Sequence, residues 1–102
     1  MDRASKKAAI RRFHQLRESV ADAVRADDPL RLIELGAPVD EYELEVGTIM
    51  PRLANAWSSD EVRRILHEEF TDWFQEAGTE AAFDVLAQDI WNILEEWRTS
   101  QS

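Results

Sequence analysis

The residues best equipped for chemistry are four carboxylates, Asp40, Glu41, Glu43 and Glu45, which crowd around Tyr42 within the stretch Gly36–Val46. Their oxygens are hard ligands of the kind Mg²⁺ and Ca²⁺ accept. The spacing lacks the fixed glycine and closing glutamate of an EF-hand loop, and consecutive acids at a helix start are what the helix dipole favours in any case. The cluster therefore reads as a stabilised helix start, with no metal and no cofactor assigned to it. Tyrosine and tryptophan combine an apolar body with a polar tip and are enriched at binding hot spots. Asp40, Glu41, Tyr42, Glu43, Glu45 and Trp57 are accordingly the candidate binding residues, and no catalytic residue is assigned.

A second acidic group comprises Glu68, Glu69 and Asp72, with Glu61 on one side and Glu76 on the other. All-α nucleotide pyrophosphatases hold Mg²⁺ with carboxylates spaced in this way on paired helices, so Glu69 and Asp72 are the metal candidates of an alternative reading, a Mg-dependent nucleotide hydrolase. On a helix these acids lie opposite the apolar stripe containing Phe70 and Trp73, or on its border, where a solvated polar face is expected. His14 and His67 lack the His-x-x-x-His or Glu-x-x-His spacing of a metal helix and have no neighbouring nucleophile; both read as histidines at the edge of the core. Ser19, Ser58, Ser59 and Thr71 stand outside any nucleophile elbow, and three scattered glycines make no phosphate-cradling loop.

Length and charge narrow the classes further. A chain of 102 residues suits one domain with one core, here residues 1–102, and 44% hydrophobic content with nine-percent aromatics suits a folded one. No apolar run is long enough for a bilayer, and cysteine is absent, which suits a reducing cytoplasm. The net charge of -9 argues against nucleic-acid binding. It is unevenly placed: residues 1–28 carry seven Lys/Arg against five Asp/Glu (+2), and residues 29–102 carry five against sixteen (-11). Either the basic arm folds onto the acidic body or the body attracts a basic partner.

Helical periodicity supplies the elements that must position these residues. Ile10, Phe13, Leu16, Val20 and Val24 make one stripe of a helix from about Ser5 to Ala26. Asp28-Pro29 predicts the cap and first residue of a short helix, Pro29–Leu35, ended by Gly36 and Pro38. A third helix is expected from about Glu41 to Ala56, kinked near Gly47 by Pro51, with Leu44, Ile49, Met50 and Leu53 buried. Ser58 with Glu61 has the capping-box spacing and opens a helix Ser59–Ala77, whose stripe runs from Val62 through Phe70, Trp73 and Phe74. Thr79 caps the last helix, with Phe83, Leu86, Ile90, Ile93, Leu94 and Trp97 inward, and residues 99–102 are expected to fray. Trp73 and Trp97 read as core, while Trp57 and Trp91 can extend an exposed aromatic surface. With no period-two alternation, the fold expected is all-α: a single-domain bundle of four longer helices plus one short helix.

The run Asp28-Pro29-x-x-Leu32 followed by Gly36-Ala37-Pro38-x-Asp40-Glu41-Tyr42 resembles small bacterial YugE-like domains of unassigned function, a likeness covering roughly residues 5–77. The resemblance implies an all-α fold and, by location, a role for Asp40, Glu41 and Tyr42; it implies no reaction. The leading expectation is a non-catalytic protein-interaction module. It is acidic like the immunity proteins that neutralise nucleases, and it binds a basic protein partner rather than nucleic acid or membrane. A homodimer that buries surplus aromatics is the further alternative to a monomer.

Overall fold

The computed structural model describes residues 2–38, 40–75 and 77–100. Helix α1 spans Arg3–Asp27, and its start is fixed by Asp2, whose carboxylate accepts a 2.8 Å bond from the Ser5 backbone N–H. It stops where Asp28 turns to the left-handed region (φ 49°). Helix α2 (Glu43–Leu53) runs through Gly47 and Pro51. Helix α3 (Ser59–Phe74) opens as its spacing predicts, the Ser58 hydroxyl accepting from the Glu61 N–H at 3.1 Å. A 3₁₀ turn, Glu80–Phe83, leads into α4 (Asp84–Ser100). Helix α3 packs on both α2 and α4, and α1 closes the bundle against α4 and α2. Between α3 and α4, Arg63 reaches Asp84 at 2.9 Å and Glu80 at 3.5 Å.

The protein is thus an all-α bundle, with four helices and no strand among the described residues. Among the described residues no helix is long and apolar enough to cross a membrane. The core draws Leu16, Val20 and Val24 from α1, Val46, Ile49 and Leu53 from α2, Val62, Leu66 and Phe70 from α3, and Leu86, Ile90 and Leu94 from α4. At its centre Phe70 lies 5.6 Å from Phe83 and 6.3 Å from Phe74, both stacked, and 5.9 Å from the Tyr42 ring, edge to face.

Several expected details are corrected. Residues 29–35 form successive turns rather than a helix, because Arg31 also takes a positive φ (57°), which no helix tolerates. Helix α2 begins at Glu43 and ends at Leu53, shorter at both ends than expected, and Leu44 is 68% exposed instead of buried. Helix α3 ends at Phe74, where Gln75 turns left-handed (φ 66°) ahead of Gly78. Trp73 is not core: it is 42% exposed and lies across the surface with its Nε1 donating to the Thr48 hydroxyl at 2.9 Å. Helix α4 continues through Thr99 and Ser100, the Ser100 hydroxyl donating back to the Trp97 carbonyl at 2.8 Å. The rest of the tail expected to fray, with Glu76 of the second acidic group, lies outside the described residues.

Candidate interaction site

The turn 29–36 is held from inside by two side chains. Asp28 accepts from the Ile33 N–H (3.1 Å) and the Glu34 N–H (2.9 Å), so its carboxylate organises the turn that follows it. The Tyr42 hydroxyl accepts from the N–H groups of Leu30 (3.2 Å) and Leu32 (3.4 Å) and donates to Asp28 at 2.5 Å. Burial pushes the Asp28 carboxyl up, but the bonds from Tyr42 and from the backbone N–H groups outweigh it and hold the carboxyl below its ordinary range. Burial, reinforced by the bond to Asp28, pushes the Tyr42 phenol up to about 12. A phenol so placed stays protonated and donates at any physiological pH.

Tyr42 is therefore a structural post and not a recognition residue, since only 1% of it is exposed. The expected acidic platform around it is overturned with it. Both Glu43 oxygens are taken by α1: Arg17 reaches one at 3.1 Å and Arg25 the other at 3.1 Å. Glu45 turns inward and is 5% exposed, its Oε2 buried without a hydrogen-bond partner among the described residues. Asp40 and Glu41 alone of the five residues at the corner remain exposed. The acids-first rule explains the residue types, and among the described residues the arginines of α1 pair with Glu43 but not with the inward Glu45.

Glu45 gives a stability prediction whose sign follows from its environment. Burial, with the nearby Glu41 charge, raises its carboxyl above the ordinary value. Because the folded pKa lies above the unfolded one, the fold binds more protons in that window, and stability falls as pH rises through it. Glu45→Gln is expected to raise stability at pH 7 by on the order of 1 kcal/mol. The gain should shrink as pH falls toward the unfolded carboxyl value, about 4.3, and be gone below it. Thermal melts of both proteins across that range check it; a gain that persists unchanged into acid refutes the buried-charge account.

The second acidic group is likewise engaged. Arg52 of α2 bridges Glu68 (2.6 Å) and Glu69 (3.1 Å) on α3, and the bond to Arg52 holds Glu68 below the ordinary carboxylate range. The metal candidate Glu69 thus has an arginine where a cation would sit, and Asp72 is exposed. Among the described residues no three histidine or carboxylate side chains converge as metal ligands. His67 makes a 2.9 Å contact from Nε2 to the Gly78 carbonyl and meets the Phe83 ring edge to face, the boundary role expected of it. His14 is exposed, 3.9 Å from Glu18.

What the bundle does present is an aromatic surface that includes Trp57. This residue, in the α2–α3 connection, is 71% exposed, and the Arg98 guanidinium of α4 lies over its ring at 4.3 Å. Arg98 also faces Trp91 at 5.8 Å, and together with Glu95 and Thr99 these side chains line a shallow pocket of about 280 Å³. The guanidinium is fixed from behind, its Nη2 donating to the Leu53 carbonyl (3.2 Å) and the Ala54 carbonyl (3.4 Å) at the end of α2. The Leu53 carbonyl also accepts from the Ala56 N–H at 3.1 Å, and the Ala54 carbonyl lies past the end of the helix, so Arg98 closes the helix end as it orients the stack. Arg98 is the residue the sequence reading missed. Its spacing from Trp91 by two helical turns was visible, but its contact with Trp57 joins positions 41 residues apart. The fold and this surface define a small all-α bundle with an exposed arginine–tryptophan stack. No family model, curated protein or solved structure matches the chain.

Proposed function

We propose that the chain is a non-catalytic protein-interaction module that binds its partner through the Trp57–Arg98–Trp91 surface. The observation that carries this reading is Trp57: a large ring left 71% in water is nevertheless held by the guanidinium stacked on it. A pre-positioned tryptophan beside an arginine is the composition of an interface hot spot, because little side-chain entropy remains to be lost on binding. The acidity of the chain, with Glu95 in the pocket itself, favours a partner with basic residues around an apolar anchor. Its lack of cysteine accords with action in the cytoplasm. The likeness to YugE-like domains is carried by Asp28, Gly36 and Tyr42, a packing corner remote from this surface in sequence, and supplies no partner.

Trp57→Ala is the test. Its ring is mostly solvated, so the melting temperature should move by no more than about 2 °C. Affinity for a partner captured by the native protein should fall by tenfold or more, the usual effect of removing an anchor residue. Capture of the same partner with unchanged affinity by Trp57→Ala refutes the assignment.

A further inference from the structure

The amino-terminal end of α1 stands clear of the core. Every residue from Asp2 to Arg11 is exposed, and no residue of α1 before Leu16 is buried. This arm is pinned at its base, where Trp97 Nε1 donates to the Arg12 carbonyl (3.2 Å) and Arg12 donates to the Ser100 hydroxyl (3.3 Å). Residues 3–17 carry six Lys/Arg and no acid, whereas residues 18–102 carry six against twenty, a balance of -14. Among the described residues Arg17 is the one cation of those first six that pairs with carboxylates, Glu43 at 3.1 Å and Glu18 at 3.9 Å, and Arg3, Lys6, Lys7 and Arg11 have no ion pair. These cations share a face with the most exposed large apolar side chain of the helix. Ile10 is 70% exposed, and at about 100° per residue Arg3, Lys6 and Lys7 lie within roughly 60° of it. Phe13, 49% exposed, borders the same face on the side of Trp97. The acid of α4 nearest this helix lies behind it: Glu96 shares a pocket with Gln15 and Ser19, and Ser19, nine residues past Ile10, projects from the opposite side of α1.

We propose that this arm docks on an anionic lipid surface, lying in its plane with Ile10 and Phe13 in the acyl boundary and Arg3, Lys6, Lys7 and Arg11 among the headgroup phosphates. The cations do not serve the fold, being exposed, unpaired and placed at the helix end where the dipole is already positive. An anionic surface is what compensates them. Polarity and shape select lipid over a nucleic acid or an acidic protein. Ile10 stands at the centre of the cationic face, where a row of phosphates would cover it with nothing apolar in return. The face is also the convex side of a single helix, with no cleft to receive a folded partner. A bilayer interface takes both kinds of side chain in one plane, the stems of lysine and arginine reaching from the apolar boundary to the phosphates. The net charge of -9 averages over two oppositely charged parts, and a membrane meets the nearer one, because fields in physiological salt fade over about 8 Å. The surface is separate from the Trp57 stack, so either assignment can fail without the other.

Co-sedimentation of the full chain with large unilamellar vesicles decides the matter. The native protein should partition onto equimolar phosphatidylglycerol and phosphatidylcholine at low salt, ignore pure phosphatidylcholine, and be released by added salt. Lys6→Gln with Lys7→Gln should lower the partition coefficient roughly thirtyfold, the effect of two cations at a charged surface. Ile10→Ala should lower it about fivefold or more. All three side chains are exposed, so the melting temperature of these variants should stay within about 2 °C of the native value. Leu44→Ala, at a 68% exposed site on α2, and Trp57→Ala should bind vesicles as the native chain does. A native chain that leaves anionic vesicles unbound at low salt overturns the proposal, as does equal binding to pure phosphatidylcholine. Binding indifferent to the double glutamine variant or to Ile10→Ala overturns it too. Retention by duplex DNA or polyglutamate in the same buffer, without retention by vesicles, overturns it in favour of a different polyanion.

Discussion

Phe70→Ala is expected to remove about 3–5 kcal/mol of stability, the range for deleting a fully buried aromatic from a core that cannot collapse around the void. Phe70 has no exposed surface, and its ring contacts Tyr42, Phe74 and Phe83, so the cavity would open where α3 meets both the corner before α2 and the turn before α4. A domain of this size has a total stability of roughly 5–15 kcal/mol, and the variant should be partly unfolded at 37 °C. Urea titration followed by far-ultraviolet circular dichroism checks this, with an expected fall in midpoint of about 2–3 M at unchanged slope. Trp73→Ala, one helical turn away at a 42% exposed position, is the comparison and should remove no more than about 1.5 kcal/mol. Equal losses at the two sites would mean that α3 is rotated about its axis from the orientation described.

That comparison marks where the fold was legible. The apolar spacing on α3 is strong enough to specify the helix, and the Ser58–Glu61 signal located its start to the residue. Periodicity gives the axis of the apolar stripe but not its edges, so Trp73 and Leu44, at stripe borders, were assigned to the wrong side. Neither does it say where a helix outruns its support. Ile10 and Phe13 continue the stripe of Leu16 and Val20, yet the 25 residues of α1 extend past the 17 of α4 and leave those two without cover. The turn 29–36 was misread as a helix because its determinant is distant. Asp28-Pro29 is a sound helix start by local rules, but the hydroxyl of Tyr42 offers the Leu30 and Leu32 N–H groups an acceptor outside any helix.

The site was legible to a lesser degree. Carboxylates at Glu43 and Glu45 follow from the dipole at a helix start, and a count of charges cannot tell which of them face arginines across the bundle. Whether Tyr42 pointed in or out was open in the sequence, although a tyrosine near a turn rich in unpaired N–H groups is a usable sign of an inward hydroxyl. Trp57 was a candidate on residue type alone. Its stack with Arg98 exists because α2 ends at Leu53, where the Leu53 and Ala54 carbonyls accept from the Arg98 guanidinium of another helix.

The second large effect is expected at Tyr42 itself. Tyr42→Phe keeps the ring and its edge contact with Phe70 and deletes only the hydroxyl, which strips two backbone N–H groups of their acceptor and Asp28 of a donor. Unsatisfied polar groups of this kind cost about 1–3 kcal/mol each, and partial access of water to the turn brings the expected loss to roughly 2–3 kcal/mol. Asp28→Gly is the fitting partner variant, since glycine accepts the positive φ of that position without strain and isolates the loss of the carboxylate. The two losses should sum to more than the double variant shows, with a coupling of about 1–2 kcal/mol, because each removes one end of the same bond. Acid provides an independent check on Asp28. Its folded pKa is depressed, so its contribution is complete above the unfolded value, near 4, and is lost as pH falls through the folded one. The stability gap between the native chain and Asp28→Gly should consequently narrow below about pH 4. Additive losses in the cycle, or a gap constant into acid, would mean that the turn holds its shape without the tyrosine, and that the corner is fixed by Gly36 and Pro38 alone.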